Sequence, residues 1–249
     1  MIYQKFILEK FVTGIVLFLS AFVVINIAGC SNNEDNQASG TNPDAFKDSN
    51  DNGSTGVGNG DQLMPCVEFN FSPKFDVNAS FPPWKSSPYH LPYKKGERYL
   101  VNQGNTSGYG HSGFWRFGYD FRMNIGTEVY AARSGRVVYT YDGARDGNRD
   151  ATNLITVKHS DGTVALYSHL TENGSFVEIG DEVERGQLIG LSGDTGNTGD
   201  IPHLHFSVHP CSGLPGLPNA TNCPTQPVTF SNTEENPDGL GTGECYLAE

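Results

Sequence analysis

The chain has 249 residues, with 28 acidic and 16 basic side chains and a formal net charge of −12 at pH 7. This acidic balance, without a basic patch, excludes nucleic acid as an expected partner because phosphate binding needs clustered Lys and Arg. Five cysteines are typical of a protein that folds in an oxidising compartment outside the cytoplasm.

The first 29 residues have the layout of a secretory signal. Lys5 and Lys10 precede an apolar run over 11–28, and the tetrapeptide Ile-Ala-Gly-Cys ends at Cys30. This ending resembles a bacterial lipobox, so we predict a lipoprotein signal peptide over 1–29, cleaved before an acylated Cys30. A retained membrane anchor is the alternative, because about 18 apolar residues are near the minimum that spans a bilayer. Both alternatives place the rest of the chain in the cell envelope, on the periplasmic side or at the outer membrane.

Residues 30–63 are rich in Asn, Asp, Gly and Ser and contain almost no large apolar side chains. Such a stretch cannot bury enough apolar surface to offset the entropy lost when a chain becomes ordered. We therefore predict a flexible, disordered linker over 30–63 and one domain, expected to be monomeric, over 64–249.

Four cysteines remain if Cys30 carries lipid, and an oxidising compartment favours disulfides between them. Cys211 and Cys223 flank a loop rich in Pro and Gly, while Cys66 and Cys245 lie near the two ends of the predicted domain. We predict these two pairs, although four cysteines allow three pairings and the residues alone do not choose between them.

The second half of the chain consists of short β-rich runs separated by turn residues, and no run outside the signal has a helical period. The predicted strands are 129–132, 136–141, 153–159, 163–170, 186–192 and 203–209. The turns between them include 160–162, 172–174, 179–181 and 193–196. The pattern predicts an all-β domain of antiparallel sheets.

The strand over 203–209 carries the pair His203-Leu204-His205. Residues two apart on a strand face the same side, so both imidazoles project together while Leu204, Phe206 and Val208 face a core. Two imidazoles on a rigid strand suit a metal site in which one is a ligand and the other handles protons. The alternative is a half-buried strand with polar His on its solvent face.

Three other residues are candidates for the same site. His169 shares a face of the predicted strand 163–170 with Tyr167, although a lone His there is also compatible with a surface position. Asp120 lies between Tyr119 and an apolar segment, where a carboxylate is costly to bury unless it is paired or bound to a cation. Each residue also has a simpler explanation, with His111 as a loop residue and Asp120 as a turn acceptor.

About 100 residues, within 103–209, resemble the lysostaphin-type zinc endopeptidases, which cleave the peptide part of bacterial peptidoglycan. Besides His111, the matching segments are 119–121 (YDF), 126–138 (GTEVYAARSGRVV), 159–170 (HSDGTVALYSHL), 180–190 (GDEVERGQLIG), 192–196 (SGDTG) and 202–206 (PHLHF). The resemblance implies a sandwich or partly open barrel of the duplicated-hybrid-motif type. It also implies a zinc ion, Zn²⁺, as cofactor and a peptidoglycan peptide as substrate.

By this resemblance, His111, Asp120 and His205 are the zinc ligands, and His169 and His203 are the catalytic histidines beside the metal. The fourth zinc position would then be left for water.

One departure concerns the spacing of the first two ligands. Many members of the family carry them four residues apart, whereas His111 and Asp120 are separated by an insertion over 112–117. His90 is the reserve candidate for the first ligand. His159 and His209 are expected at the surface.

The function implied by the resemblance is hydrolysis of amide bonds in peptidoglycan at the cell envelope. The alternative is a non-catalytic relative that binds or activates cell-wall hydrolases; such relatives typically lose a ligand or a catalytic His, and this chain keeps all five. The turn over 180–186 also resembles biotinyl, lipoyl and phosphotransferase carriers, but no lysine follows Lys158 and a phosphocarrier would be cytoplasmic. Residues 66–100 and 210–249 lie outside the match and are expected to add strands or shape the substrate groove.

Overall fold

The computed structural model describes residues 66–70, 78–108, 110–210 and 223–249. The predicted signal peptide, Cys30 and the predicted linker lie outside these ranges. Within the described ranges, no helix has the length and apolar character needed to cross a membrane.

Eleven β-strands build the described part of the domain, and all their pairings are antiparallel. They are β1 (Arg98–Gln103), β2 (Tyr119–Arg122), β3 (Glu128–Tyr130), β4 (Gly135–Tyr141), β5 (Leu154–Lys158), β6 (Val164–Ser168), β7 (Leu170–Ser175), β8 (Glu182–Val183), β9 (Leu188–Ser192), β10 (His203–His209) and β11 (Cys245–Leu247). The helical elements of the described ranges are two short 3₁₀ turns, Trp84–Ser86 and Gly113–Trp115.

Two sheets enclose one apolar core. The larger sheet has the strand order β11-β1-β2-β10-β6-β5-β4-β8, and the smaller has the order β3-β9-β7. Phe121, Tyr167 and Phe206 of the larger sheet belong to the same buried cluster as Val129 and Ile189 of the smaller sheet. The arrangement confirms the predicted all-β fold with antiparallel sheets packed together.

Each of the six predicted strands overlaps an observed strand, and β10 has the predicted bounds. The predicted strand 163–170 was wrong in one respect, because it is interrupted at His169. The φ of His169 is 65°, which takes the backbone out of the extended region, so β6 ends one residue before it and β7 begins one residue after. The predicted turn over 172–174 instead lies inside β7.

Residues outside the sequence match complete the core from both ends of the domain. Strand β11 pairs with β1, and the Tyr93 hydroxyl donates a hydrogen bond to the carbonyl oxygen of Tyr246 at 2.6 Å. Val228 and Phe230 are fully buried members of the core cluster. These segments therefore add a strand and core side chains to the domain.

A disulfide joins Cys66 to Cys245 and so fastens the start of the described chain to β11. Cys223 is also disulfide-bonded, while Cys211, its predicted partner, lies outside the described residues. Two cysteines that are close in space but 179 residues apart in sequence close a long loop, which limits the conformations of the unfolded chain.

Asn153, at the start of β5, is fully buried and connects two loops. Its side-chain amide nitrogen donates to the carbonyl oxygens of Ala144 and Thr171 at 2.7 and 3.0 Å, and its side-chain oxygen accepts from the Ala144 N–H at 2.8 Å. Its backbone N–H donates to the Thr195 hydroxyl oxygen at 3.0 Å. These bonds hold the loop before β5 against the loop after β9.

We expect Asn153→Ala to lower the free energy of unfolding by about 2–4 kcal/mol, because the substitution leaves buried backbone groups without partners. Urea unfolding of the variant and the parent protein measures this loss. Asn148→Ala is the matched control, since Asn148 is exposed and its side chain accepts one bond from the Asp150 N–H. Equal unfolding midpoints for the two variants would contradict the prediction.

Candidate metal centre

The register between β2 and β10 brings two candidate ligands together. His205 lies directly opposite Asp120 in this antiparallel pair, and both side chains face away from the core. His205 Nδ1 lies 2.8 Å from Asp120 Oδ1. Both residues are buried, with relative exposures of 7% and 4%, so the pair is largely shielded from bulk water.

His111 reaches the same point from the loop between β1 and β2. Its Nε2 lies 3.2 Å from Asp120 Oδ1 and 3.3 Å from His205 Nδ1. The insertion over 112–117 does not prevent this approach, because part of it winds into the 3₁₀ turn Gly113–Trp115. The nine-residue spacing is therefore compatible with the ligand geometry that the shorter family spacing implies.

The three side chains fit a tetrahedral metal ion. Zinc bonds of roughly 2.0–2.1 Å to nitrogen or oxygen place two ligand atoms about 3.3 Å apart. The three observed separations are 2.8, 3.2 and 3.3 Å, and the donor atoms form the one candidate metal cluster of the described ranges. Two imidazole nitrogens and one carboxylate oxygen are also a donor set that zinc accepts.

The protonation preferences of these groups are consistent with metal binding. Burial alone would raise the pKa of Asp120, but the charges of His111 and His203 and the hydrogen bonds from His111 and His205 hold it well below its usual range. Burial lowers the pKa of His205, although Asp120 opposes the shift. For His111, burial would lower the pKa, but Asp120 raises it. Asp120 is therefore ionised and accepts a hydrogen bond from a proton on a neighbouring imidazole. A metal ion that binds here can displace that proton.

A backbone carbonyl sets the tautomer of His111. Its Nδ1 lies 3.0 Å from the Gly104 carbonyl oxygen, and a carbonyl only accepts, so Nδ1 carries the hydrogen and Nε2 faces the other ligands. His205 presents Nδ1 to the ligand cluster, and its buried Nε2 has no hydrogen-bond partner among the described residues. The Trp115 ring packs edge-on against His205, with centroids 5.5 Å apart.

The two predicted catalytic histidines lie together beside this cluster. The ring centroids of His169 and His203 are 4.7 Å apart, and His203 Nε2 is 3.6 Å from Asp120 Oδ1. His169 Nδ1 donates to the Thr195 carbonyl oxygen at 2.6 Å, and His203 Nδ1 donates to the Ile201 carbonyl oxygen at 2.7 Å. Both Nε2 atoms are therefore the acceptors. Burial, with smaller effects of His203 and His205, lowers the pKa of His169 to about 3.

All five predicted site residues line one cleft of about 470 Å³. The cleft also contains residues that the sequence did not single out, namely Gln103, Gly110, Trp115, Thr152, Leu154, Leu166, Ser168, Asn197, Thr198 and Gly199. The expected strand face of His169 was wrong. Tyr167 belongs to the core, whereas Leu166 and Ser168 line the cleft, and His169 joins them because its positive φ breaks the alternation.

The other three histidines lie elsewhere. His90 is half-buried and does not line the cleft. The expected surface positions of His159 and His209 were wrong, since both are buried, and their Nδ1 atoms donate to the carbonyl oxygens of Ser134 and Cys223. Interior backbone carbonyls need donors, and a neutral imidazole supplies one.

Gly118 is required for the position of His205. A Cβ atom at Gly118 would lie 2.6 Å from His205 Cε1 and 3.1 Å from its Nε2. In the sequence, this glycine directly precedes the Tyr-Asp-Phe segment, which is a signal that a side chain is not tolerated there. The spacing alone does not show that the glycine contacts the His205 ring.

We expect Gly118→Ala to weaken zinc binding by roughly 10-fold or more, because the displaced His205 ring loses its ligand geometry. Competition with a chromophoric chelator measures the zinc affinity, and circular dichroism checks the fold. Gly110→Ala is the control, since a Cβ there meets one side-chain atom at 3.9 Å. Parental zinc affinity in a folded Gly118→Ala protein would show that this close contact is unimportant.

Comparisons with known proteins agree with the family resemblance of the sequence. Residues 115–216 match the sequence profile of Peptidase family M23. Lysostaphin of Staphylococcus simulans is 40% identical over 115 residues, which are 46% of this chain and 21% of that protein. Peptidoglycan DD-endopeptidase ShyA of Vibrio cholerae is 41% identical over 92 residues, which are 36% of this chain and 19% of that protein. The matches thus span about a fifth of either relative.

Among solved structures, the catalytic domain of the S. simulans lysostaphin is 38% identical; the alignment covers 47% of this chain and 79% of that one, with a TM-score of 0.32. The assignment rests on the sequence matches. The family resemblance of the sequence is confirmed, because residues 115–216, which include Asp120, His169, His203 and His205, match Peptidase family M23.

Proposed function

We propose that this protein is a zinc-dependent endopeptidase that hydrolyses amide bonds in the peptide part of peptidoglycan at the cell envelope. The observation that carries the proposal is the convergence of three candidate ligands and two further histidines in one cleft. Matches to lysostaphin and to a peptidoglycan DD-endopeptidase support the substrate class. The proposed ligands are His111, Asp120 and His205.

Zinc bound by these residues would polarise the scissile carbonyl and lower the pKa of water in the cleft. His169 and His203 would then transfer protons, since each has its Nδ1–H fixed on a carbonyl and its Nε2 available as an acceptor. One group takes a proton from the attacking water and a protonated imidazole gives one to the leaving amine. Two histidines with ring centroids 4.7 Å apart are close enough to serve the same tetrahedral centre.

The non-catalytic alternative is not favoured. A protein that only binds cell-wall components has no need of two imidazoles with fixed tautomers beside a metal site. His169 in particular adopts a left-handed backbone conformation, which costs free energy for a residue with a side chain and is typical of functional sites.

The proposed location is the envelope, with Cys30 acylated and residues 30–63 acting as a tether. This part of the proposal rests on the sequence alone, namely the apolar run over 11–28 and the residues that follow it. A lipid anchor with a long polar tether would keep the cleft near the cell wall. The domain is proposed to act as a monomer.

Purified protein in detergent should release peptides from isolated peptidoglycan, and a zinc chelator should abolish the release. Mass spectrometry of the fragments identifies the amide bond that is cut. Chelator-sensitive release would establish the proposed activity. No release by protein shown to contain zinc would refute the proposed substrate.

Substitutions should separate the ligands from the proton-transfer residues. We expect His205→Ala to lose both zinc and hydrolysis, because removing one of three ligands opens the site. His169→Ala and His203→Ala should keep zinc while losing hydrolysis by roughly 100-fold or more. Zinc content by atomic emission and peptide release from peptidoglycan are measured on the same preparations.

His209→Gln is the control for this series, because His209 lies on the same strand face as His205 but outside the cleft lining. It should retain zinc and activity if the protein folds. Full zinc occupancy in the His205→Ala protein would contradict the ligand assignment, and an active His203→Ala protein would contradict its role in proton transfer.

A further inference from the structure

Arg122 occupies the position next to the proposed catalytic site in the sheet. It is the last residue of β2 and lies directly opposite His203 in β10, two pairs along from Asp120 and His205. Residues two apart on a strand share a face, so Arg122 projects on the same side as Asp120. Opposed residues of an antiparallel pair have Cβ atoms about 4.5–5.5 Å apart. Arg122 therefore adjoins His203 on the side away from His205, next to the cleft but not among the residues that line it.

The charge of Arg122 is not matched by any described residue. No side-chain hydrogen bond or ion pair joins it to the described ranges, and its buried Nε atom has no partner there. Other arginines differ in this respect. Those that form ion pairs with acidic side chains are Arg98, Arg133, Arg136, Arg145 and Arg149.

An unpaired guanidinium in this position calls for a physical explanation. Buried polar atoms nearly always have hydrogen-bond partners, and exceptions concentrate at functional sites. The chain has an excess of acidic side chains, so carboxylates to pair with Arg122 are plentiful in the sequence, yet none in the described ranges does so. A guanidinium binds a carboxylate through two parallel N–H···O bonds, which fixes the orientation of the bound group.

We propose that Arg122 forms a subsite for a carboxylate of the peptide substrate, next to His203. The inference rests on the proposed function, because it assumes that a peptide lies in the cleft. A residue of extended peptide spans about 3.3–3.6 Å, so the carboxylate belongs to a residue within one or two positions of the scissile amide. It is either the carboxyl terminus of the peptide or a carboxyl group carried on a residue within it.

The experiment compares three synthetic versions of one peptidoglycan stem peptide: the free acid, the form amidated at its carboxyl terminus, and the form amidated at its internal carboxyl groups. Zinc-loaded protein is assayed for kcat/KM on each peptide, and the metal-free protein is titrated with each peptide by calorimetry. The variants are Arg122→Gln and Arg122→Lys. Arg136→Gln is the matched control, since Arg136 is exposed on β4 and pairs with Glu182 at 4.0 Å.

We expect the parent protein to favour the free acid over one of the amidated peptides by roughly 10- to 100-fold, as for a charge-assisted hydrogen-bonded pair. Arg122→Gln should abolish this preference, because its kcat/KM should fall on the free acid and stay unchanged on that amidated peptide. Arg122→Lys should retain part of it, because lysine keeps the charge but not the fork of donors. The amidated peptide on which the parent protein has the lower kcat/KM identifies the carboxylate that binds Arg122.

A preference that persists in a folded Arg122→Gln protein would overturn the inference, as would equal kcat/KM and equal affinity for the three peptides in the parent. If the free acid is hydrolysed and either of these results is found, the subsite is refuted and the proposed function stands. Arg122-dependent binding to the free acid without any hydrolysis would instead support the subsite and refute the proposed activity. Thermal unfolding of each variant shows whether it folds.

Discussion

The antiparallel register between β2 and β10 is the constraint on which the candidate site depends. It pairs Asp120 with His205 and Arg122 with His203, so a one-residue slip of either strand would turn that strand's two polar side chains toward the core. The apolar alternation fixes the register. Phe121 and Leu204 are opposed in the same pairing and fully buried, and exposing them would cost several kcal/mol. Core packing therefore holds the polar face in place without contacting it.

Backbone carbonyls determine what the imidazoles in this cleft can do. His111, His169 and His203 each donate a hydrogen bond from Nδ1 to a carbonyl, which leaves Nε2 as the reactive atom in all three. These acceptors belong to loops, and the loop after β9 is held by the buried Asn153 through Thr195. The chemistry of the cleft thus depends on a polar network whose other members contact neither the proposed metal nor the substrate.

Alternation and turn residues were enough to predict an all-β fold, six strands and the common face of His203 and His205, because those features depend on a period of two along the chain. The same rule gave the wrong neighbours for His169, since a single residue with positive φ ends the alternation and nothing in the local sequence marks it. The buried positions of His159 and His209 were missed for a different reason. Their partners, the carbonyls of Ser134 and Cys223, are supplied by distant parts of the chain. The family resemblance supplied the metal ligand set, which no local pattern could provide.

The wall of the cleft also depends on residues beyond the family match. Thr225 accepts a hydrogen bond from the Phe117 N–H at 2.9 Å and its own N–H donates to the Phe114 carbonyl at 2.9 Å. These bonds hold the middle of the 3₁₀ turn and the residues just after it, and this turn carries Trp115 against His205. Thr225 lies after the last matched residue, 216. Its hydrogen bonds therefore join the C-terminal segment to the insertion before Asp120. The insertion lengthens the loop between two candidate ligands, and the C-terminal segment offsets the added freedom by holding that loop to the domain.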